Sequence, residues 1–283
     1  MNTPVAAQTT CQVPADTERR FAGIARLYGE PALRAFQEAR ICVVGIGGVG
    51  SWVAEALARS GIGELVLVDL DHVSESNTNR QIHALEQDFG KAKVQAMRER
   101  ISGINAACRV RCIEEFVMPD NVTELIDTGV LDFVVDCVDR FQSKAALISH
   151  CRRHRCPMIT IGGTGGQRDP SKIRVADLSR SVHDPLLART RRELRRHHGF
   201  RKSGSMGVPC VYSIEQARFP QADGSVAAVR TAAIEGSLHC GGLGSATHLT
   251  GSFAFAAVAR VLDRLARQDV PAAETHTGPA CTG

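Results

Sequence analysis

Apolar residues along this chain fall into short blocks that end at glycine or aspartate, with stretches of helical spacing between them. Residues 41–44 are an apolar run leading into glycines, and Ser51-Trp-Val-Ala-Glu-Ala-Leu-Ala follows with apolar positions one helical turn apart. That order predicts a strand, a tight turn and a helix start. A second apolar run, 65–68, stops at Asp69. A third, 133–135, reads as a buried strand just before Asp136 and Asp139, and a fourth occupies 157–161. This βα alternation from about 41 to 161 predicts one α/β sheet.

The flanks lack that pattern. Residues 1–18 are polar and have no positively charged start before an apolar run, so they read as a disordered tail without a signal peptide. Residues 268–283, rich in Pro, Ala, Thr and Gly, read the same way. A single domain is left at 19–267, and no repeat of solenoid period interrupts it. Between residues 236 and 259 no Asp, Glu, Lys or Arg occurs, a stretch of 24 residues and long enough to cross a bilayer. It carries five glycines, five Ser or Thr, His239 and His248, so its later part is expected to be a buried helix and the protein to be cytoplasmic rather than membrane-bound.

Chemistry enters with the glycines. Gly45, Gly47 and Gly50 fit G-x-G-x-x-G between a strand and a helix, where absent side chains let backbone approach phosphate and the helix N-terminus attracts negative charge. Asp69 lies 24 residues after Gly45, the place from which a carboxylate can hold ribose hydroxyls. These features alone equally describe a NAD-dependent oxidoreductase or a nucleotide-sensing module. The polar cluster of Asn77, Asn79, Arg80 and Gln81, followed by Lys93, suits a triphosphate instead. Arg and Lys neutralise phosphate and stabilise the charge of departing pyrophosphate. Asn can donate and accept, and so brace a phosphate-holding loop.

Together, GIGGVG, DLD ending at Asp71, SNTNRQ, GKAK and Asp139 resemble the adenylating superfamily related to ubiquitin-activating enzymes. RFAGIARLYG, NRQIHAL, KAALI, the GGTGGQ and DP stretch, and DPLLA extend the resemblance to the branch that dehydrates threonylcarbamoyladenosine in tRNA. The resemblance implies a Rossmann-like, doubly wound, mostly parallel sheet with a C-terminal extension packed on it. It implies a homodimer that uses ATP, with Mg2+, to activate a carboxylate. Gly45, Gly47, Gly48 and Gly50 would face the nucleotide, Asp69 the ribose, and Asn77, Arg80 and Lys93 the phosphates, with Asp71, Asn79 and Gln81 completing the site. Arg80, Lys93 and Asp139 would carry the chemistry, Asp139 positioning magnesium or the attacked α-phosphate, with Asp136 the competing carboxylate. Arg20 or Arg26 would reach the partner's ATP. The nucleotide site would lie within 41–140 and the basic, substrate-facing region within 162–245.

The implied reaction is activation of the threonyl carboxylate of threonylcarbamoyladenosine, as adenylate or acyl phosphate, followed by ring closure by the neighbouring carbamoyl group. The alternative is adenylation of the Gly-Gly terminus of a ubiquitin-like sulfur carrier. Members with that activity commonly hold zinc between two C-x-x-C pairs. Ten cysteines without a secretory signal read as free thiols, and no C-x-x-C occurs, so no structural zinc is expected. Cys240 stands near a family cysteine that accepts sulfur from a cysteine desulfurase system, although the local spacing is shorter here. The competing reading is an inert buried thiol.

Net charge is only +4, but residues 189–198 read RTRRELRRHH. Arg191, Arg192, Arg195 and Arg196 are candidate tRNA contacts, extended by Arg152, Arg153 and Arg155, and the bland reading is a solvated helix. Glycines at 162–166 and 241–244 flank the same region, as substrate surface or as simple turns.

Overall fold

The computed structural model describes residues 17–229 and 243–267. Its centre is a seven-stranded sheet made of β1 (Arg40–Val44), β2 (Glu64–Val68), β3 (Arg109–Ile113), β4 (Phe133–Asp136), β5 (Met158–Ile161), β6 (Ile173–Asp177) and β7 (Pro209–Ser213), in the order β3-β2-β1-β4-β5-β7-β6. Every neighbouring pair is parallel except β6 with β7. A separate hairpin joins β8 (Phe219–Pro220) and β9 (Val226–Ala227).

The continuous apolar runs make strands buried on both faces, as parallel sheets covered by helices require. Along β1, Ile41 and Val43 enter one core with Phe36, Leu57, Leu67, Ile101 and Phe253, whereas Cys42 and Val44 enter the other with Val134, Leu147, Ile148 and Leu194. The first layer is covered by α2 (Glu30–Glu38), α3 (Gly50–Arg59), α4 (Lys93–Ile104) and α8 (Thr247–Ala266); the second by α6 (Phe141–Arg153) and α7 (Pro185–His197). α1 (Thr17–Tyr28) packs on α2 through Phe21, Ala25 and Leu33, and α5 (Val122–Leu125) lies before β4. α1 begins within the expected N-terminal tail; the remainder of that tail, 1–16, and the expected tail 268–283 lie outside the described residues.

Register places the site. Val44 sits beside Val68 on one side and Asp136 on the other, and Asp136 beside Thr160, so four strands finish at one level. The chain leaves β1 first toward β3 and later returns to β4. This leaves the crevice at the carboxyl ends in which open α/β sheets bind ligands. The later part of the uncharged segment, from Thr247, forms the first turns of α8, with Leu249, Phe253 and Ala257 fully covered, and no helix among the described residues is long and apolar enough to cross a membrane.

Candidate nucleotide and substrate site

The glycine loop is built by close backbone approach. Gly45 leaves β1 with φ +87°, and a Cβ there would stand 2.9 Å from the Cys137 carbonyl oxygen. A Cβ on Gly50 would run into the Gly45 carbonyl. Gly47 faces open space, with nothing within 4 Å of an added Cβ, whereas Gly48 is roofed by the Arg80 side chain, whose Cγ would lie 3.3 Å from one. No side chain caps the start of α3, so its dipole is available to an anion.

Asp69 ends β2 beneath this loop. Its Oδ2 accepts from the Ile46 N–H at 2.6 Å and its Oδ1 from the Asp71 N–H at 2.8 Å. Burial pushes the carboxyl above its ordinary pKa, partly offset by the Lys93 charge and the two N–H donors. The residue therefore ties the glycine loop to β2. Asp71, more exposed, pairs through Oδ2 with Lys93 Nζ at 2.7 Å, and the Lys93 N–H donates to the Asp71 carbonyl at 2.9 Å. Lys93 begins α4 with its side chain only 7% exposed, a cation on the floor of the crevice.

SNTNRQ forms a braced loop. Asn77 is buried, its Oδ1 accepts from the Ser74 N–H at 3.1 Å, and its carbonyl accepts from the Arg80 and Gln81 N–H groups. Asn79 donates through Nδ2 to the Ser245 carbonyl at 2.8 Å, and its own carbonyl accepts from Thr247 Oγ1 at 2.7 Å. The Arg80 carbonyl accepts from Trp52 Nε1 at 3.0 Å, while its Nη1 donates to the Ser76 carbonyl and to Asn79 Oδ1, each at 2.8 Å. Gln81 is buried with Oε1 lacking a partner within the protein. His83, 1% exposed, has a partner on neither ring nitrogen, and burial, with the Lys93 charge, lowers its pKa to about 4.

Past β4 the two carboxylates separate. Asp136 is fully buried against Lys144, whereas Asp139 is exposed on the loop to α6. Gly45, Gly48, Asp69, Asp71, Arg80, Lys93 and the Asp139 loop thus share one end of the sheet. Within its own chain, Arg20 Nη1 donates to the Ile104 carbonyl at 2.7 Å, at the opposite end of α4 from Lys93. Arg26 is exposed in the last turn of α1.

The basic helix α7 starts at Asp184, whose Oδ1 caps the Leu187 N–H at 2.9 Å and whose Oδ2 accepts from the Gly163 N–H at 3.0 Å. The cap fastens α7 to the glycine loop after β5. Leu187, Thr190 and Leu194 face inward, and Arg189, Arg192 and Arg196 are exposed. Arg191 is held within the fold, its Nη1 donating to the Ser181 carbonyl at 2.9 Å and contacting Ser181 Oγ, while Arg195 Nε donates to the Arg201 carbonyl at 3.2 Å. Arg152 lies over the Phe200 ring at 4.7 Å and bonds the Met206 carbonyl; Arg153 and Arg155 are exposed. Of the glycine clusters, Gly166 donates its N–H to the Gly244 carbonyl at 2.8 Å. Cys240 lies outside the described residues, and among those described no group of three or more His, Cys, Asp or Glu is gathered to hold a metal.

Sequence reasoning missed Trp52, Thr247 and Thr250, which hold the Asn79–Arg80 backbone, Ser245, whose carbonyl accepts the Asn79 side chain, and Lys144. Thr250 offered no signal because its hydroxyl serves a main-chain carbonyl at 3.4 Å, whereas KAALI did carry the resemblance in which Lys144 stands.

The ThiF family pattern matches residues 19–275. This chain belongs to the ThiF family. As a ThiF-family chain it is 50% identical over 252 residues to tRNA threonylcarbamoyladenosine dehydratase of Escherichia coli (strain K12), covering 87% of this chain and 93% of that one. It is 43% identical to the Haemophilus influenzae protein of the same name, over 89% of this chain and 95% of the other. Among solved structures, E. coli TcdA in complex with ATP superposes with a TM-score of 0.80 at 45% identity, covering 90% of this ThiF-family chain and 98% of that one.

Proposed function

We propose that this protein is an ATP-dependent dehydratase that closes a ring on threonylcarbamoyladenosine in the anticodon loop of tRNA. The observation that carries the reading is the placing of Arg80 over Gly48 and of Lys93 against Asp71, next to the Asp69 carboxylate that bonds the glycine loop. A hydride-transfer site has no need of that pair, whereas a departing pyrophosphate does. The named relatives, and the ATP complex of one of them, support the same assignment.

In this reading the threonyl carboxylate attacks ATP, whose triphosphate lies along Gly47 and the α3 N-terminus. Arg80 and Lys93 hold the oxygens that gain charge. The carbamoyl group then displaces the activated carboxyl oxygen, so the nucleoside loses one water overall. Magnesium keeps most of its own water and binds through one or two carboxylates together with phosphates, and exposed Asp139 is the carboxylate that would hold it. Arg192 and Arg196 toward the C-terminal end of α7, with Arg153 and Arg155 at the C-terminal end of α6, supply a phosphate-binding face. The active species is a cytoplasmic homodimer, and the exposed Phe255, edge-on to Trp52 at 6.2 Å, is an apolar surface for pairing.

The test is mass spectrometry of nucleosides from threonylcarbamoyladenosine-bearing tRNA incubated with the protein and ATP. A product lighter by one water and absent without ATP is expected. Unchanged nucleoside beside intact ATP binding would overturn the assignment.

A further inference from the structure

Lys144 is 0% exposed, and its Nζ lies 2.9 Å from Oδ2 of Asp136, which is equally buried. Thr160 Oγ1 donates to the same Oδ2 at 2.6 Å, and Lys144 Nζ donates to Thr160 Oγ1 at 3.1 Å. The other carboxylate oxygen, Oδ1, accepts from the Val138 N–H at 3.1 Å. A buried ion pair of this kind is weak evidence for stability, because desolvation consumes most of the attraction. It does impose one geometry on whatever it holds, and here that is the turn from Cys137 to Arg140.

That turn is a wall of the nucleotide crevice. The Cys137 N–H donates to the Val44 carbonyl at 2.8 Å. Its carbonyl closes over Gly45, and its Cβ would stand 3.3 Å from a Cβ on Gly50, so both ends of the glycine loop rest on Cys137. Asp139 follows two residues later. Burial pushes the Asp184 carboxyl above its ordinary pKa, and the Lys144 charge is among the influences that oppose this, so one lysine acts on the anchors of both the nucleotide turn and the arginine helix.

We propose that Asp136, Lys144 and Thr160 form a positioning unit that fixes residues 137–140 against the glycine loop and thereby sets Asp139 for the chemical step. The proposal rests on the nucleotide-site reading of Asp139 given above. None of the three side chains touches substrate; they act through the turn.

The test uses the full-length protein and the variant Asp136→Val/Lys144→Met/Thr160→Val, which replaces the polar unit by apolar groups of similar volume, a change that buried ion pairs often tolerate. The expected result is a melting temperature near that of the wild type, KM for ATP within about threefold, and kcat for ring closure at least about tenfold lower. Amide hydrogen exchange at residues 137–140 should quicken by at least about tenfold while β1 and β2 stay protected. A folded triple variant with wild-type kcat, or with wild-type protection of the turn, overturns the proposal. Should the triple variant fail to fold, Thr160→Val alone removes one donor to Asp136; about threefold faster exchange of the turn with a matching fall in kcat supports the unit, and wild-type values sink it. If the wild type binds ATP yet closes no ring, the functional reading fails, and the exchange measurement alone decides the positioning role.

Discussion

The indole Nε1–H of Trp52 on α3 donates to the carbonyl of Arg80 at 3.0 Å, joining the helix that follows the glycine loop to the loop that carries Arg80. Trp52→Phe keeps an aromatic ring against Phe255 and removes the donor. Stability should fall by about 1 kcal/mol, and KM for ATP should rise several-fold as Arg80 loses its anchor. Denaturant unfolding and steady-state kinetics check the two effects separately.

Arg80 is half-buried, and among the described residues its guanidinium bonds only the neighbouring Ser76 carbonyl and Asn79 Oδ1, so Arg80→Ala should lower the melting temperature only modestly. Turnover should fall about 100-fold or more, because a preorganised cation facing developing charge is lost. Arg80→Lys should recover only part of it, since the ammonium does not reproduce the planar fork. Full ring-closing activity in Arg80→Ala would remove the residue from the mechanism.

His83 gives the fold an acid-sensitive point. Its folded pKa, lowered to about 4 by burial, lies below its ordinary value of 6.5, so the unfolded chain takes up the proton first. The stability its neutral form secures is complete above pH 6.5 and is lost as pH falls toward 4. Linkage sets the ceiling at about 3 kcal/mol. His83→Leu should flatten this part of the stability curve, measured as denaturant midpoints across that window; equal acid losses in both proteins would show that His83 is not the responsible group.

Arginines on α7 should divide by environment. Arg192→Ala and Arg196→Ala, at exposed positions, should weaken tRNA binding and each lower the slope of log affinity against log salt by nearly one. Arg191→Ala should chiefly destabilise the fold, since its guanidinium bonds Ser181 and the Leu178 carbonyl. Binding titrations at several salt concentrations beside thermal melts separate the two classes.

The strands legible in the sequence were those buried on both faces, where a run such as 41–44 has no polar residue to disguise it. β3, RVRCI, escaped because an edge strand needs cover on only part of its surface: Arg109 and Arg111 are exposed while Ile113 is half-buried. The antiparallel turn of β6 onto β7 depends on the Asp177 carboxylate gathering the Met206, Gly207 and Val208 N–H groups, a contact across 31 residues at its widest. In the site, spacing located Asp69 and Asp71 at a strand end but could not tell that the first bonds the glycine loop and the second bonds Lys93. Nor could it separate Asp136 from Asp139, because what buries Asp136 is Lys144 from the following helix and Thr160 from the next strand.

The hold of Ser245 and Thr247 on Asn79 spans 166 and 168 residues of chain. During synthesis, every residue expected to touch nucleotide leaves the ribosome long before these two. A nascent fragment ending short of α8 carries all the recognisable nucleotide motifs, yet lacks the last clasp on the loop that bears Arg80. The support of the Arg80 loop is therefore completed only when α8 docks, and a chain released early would display the motifs without this clasp.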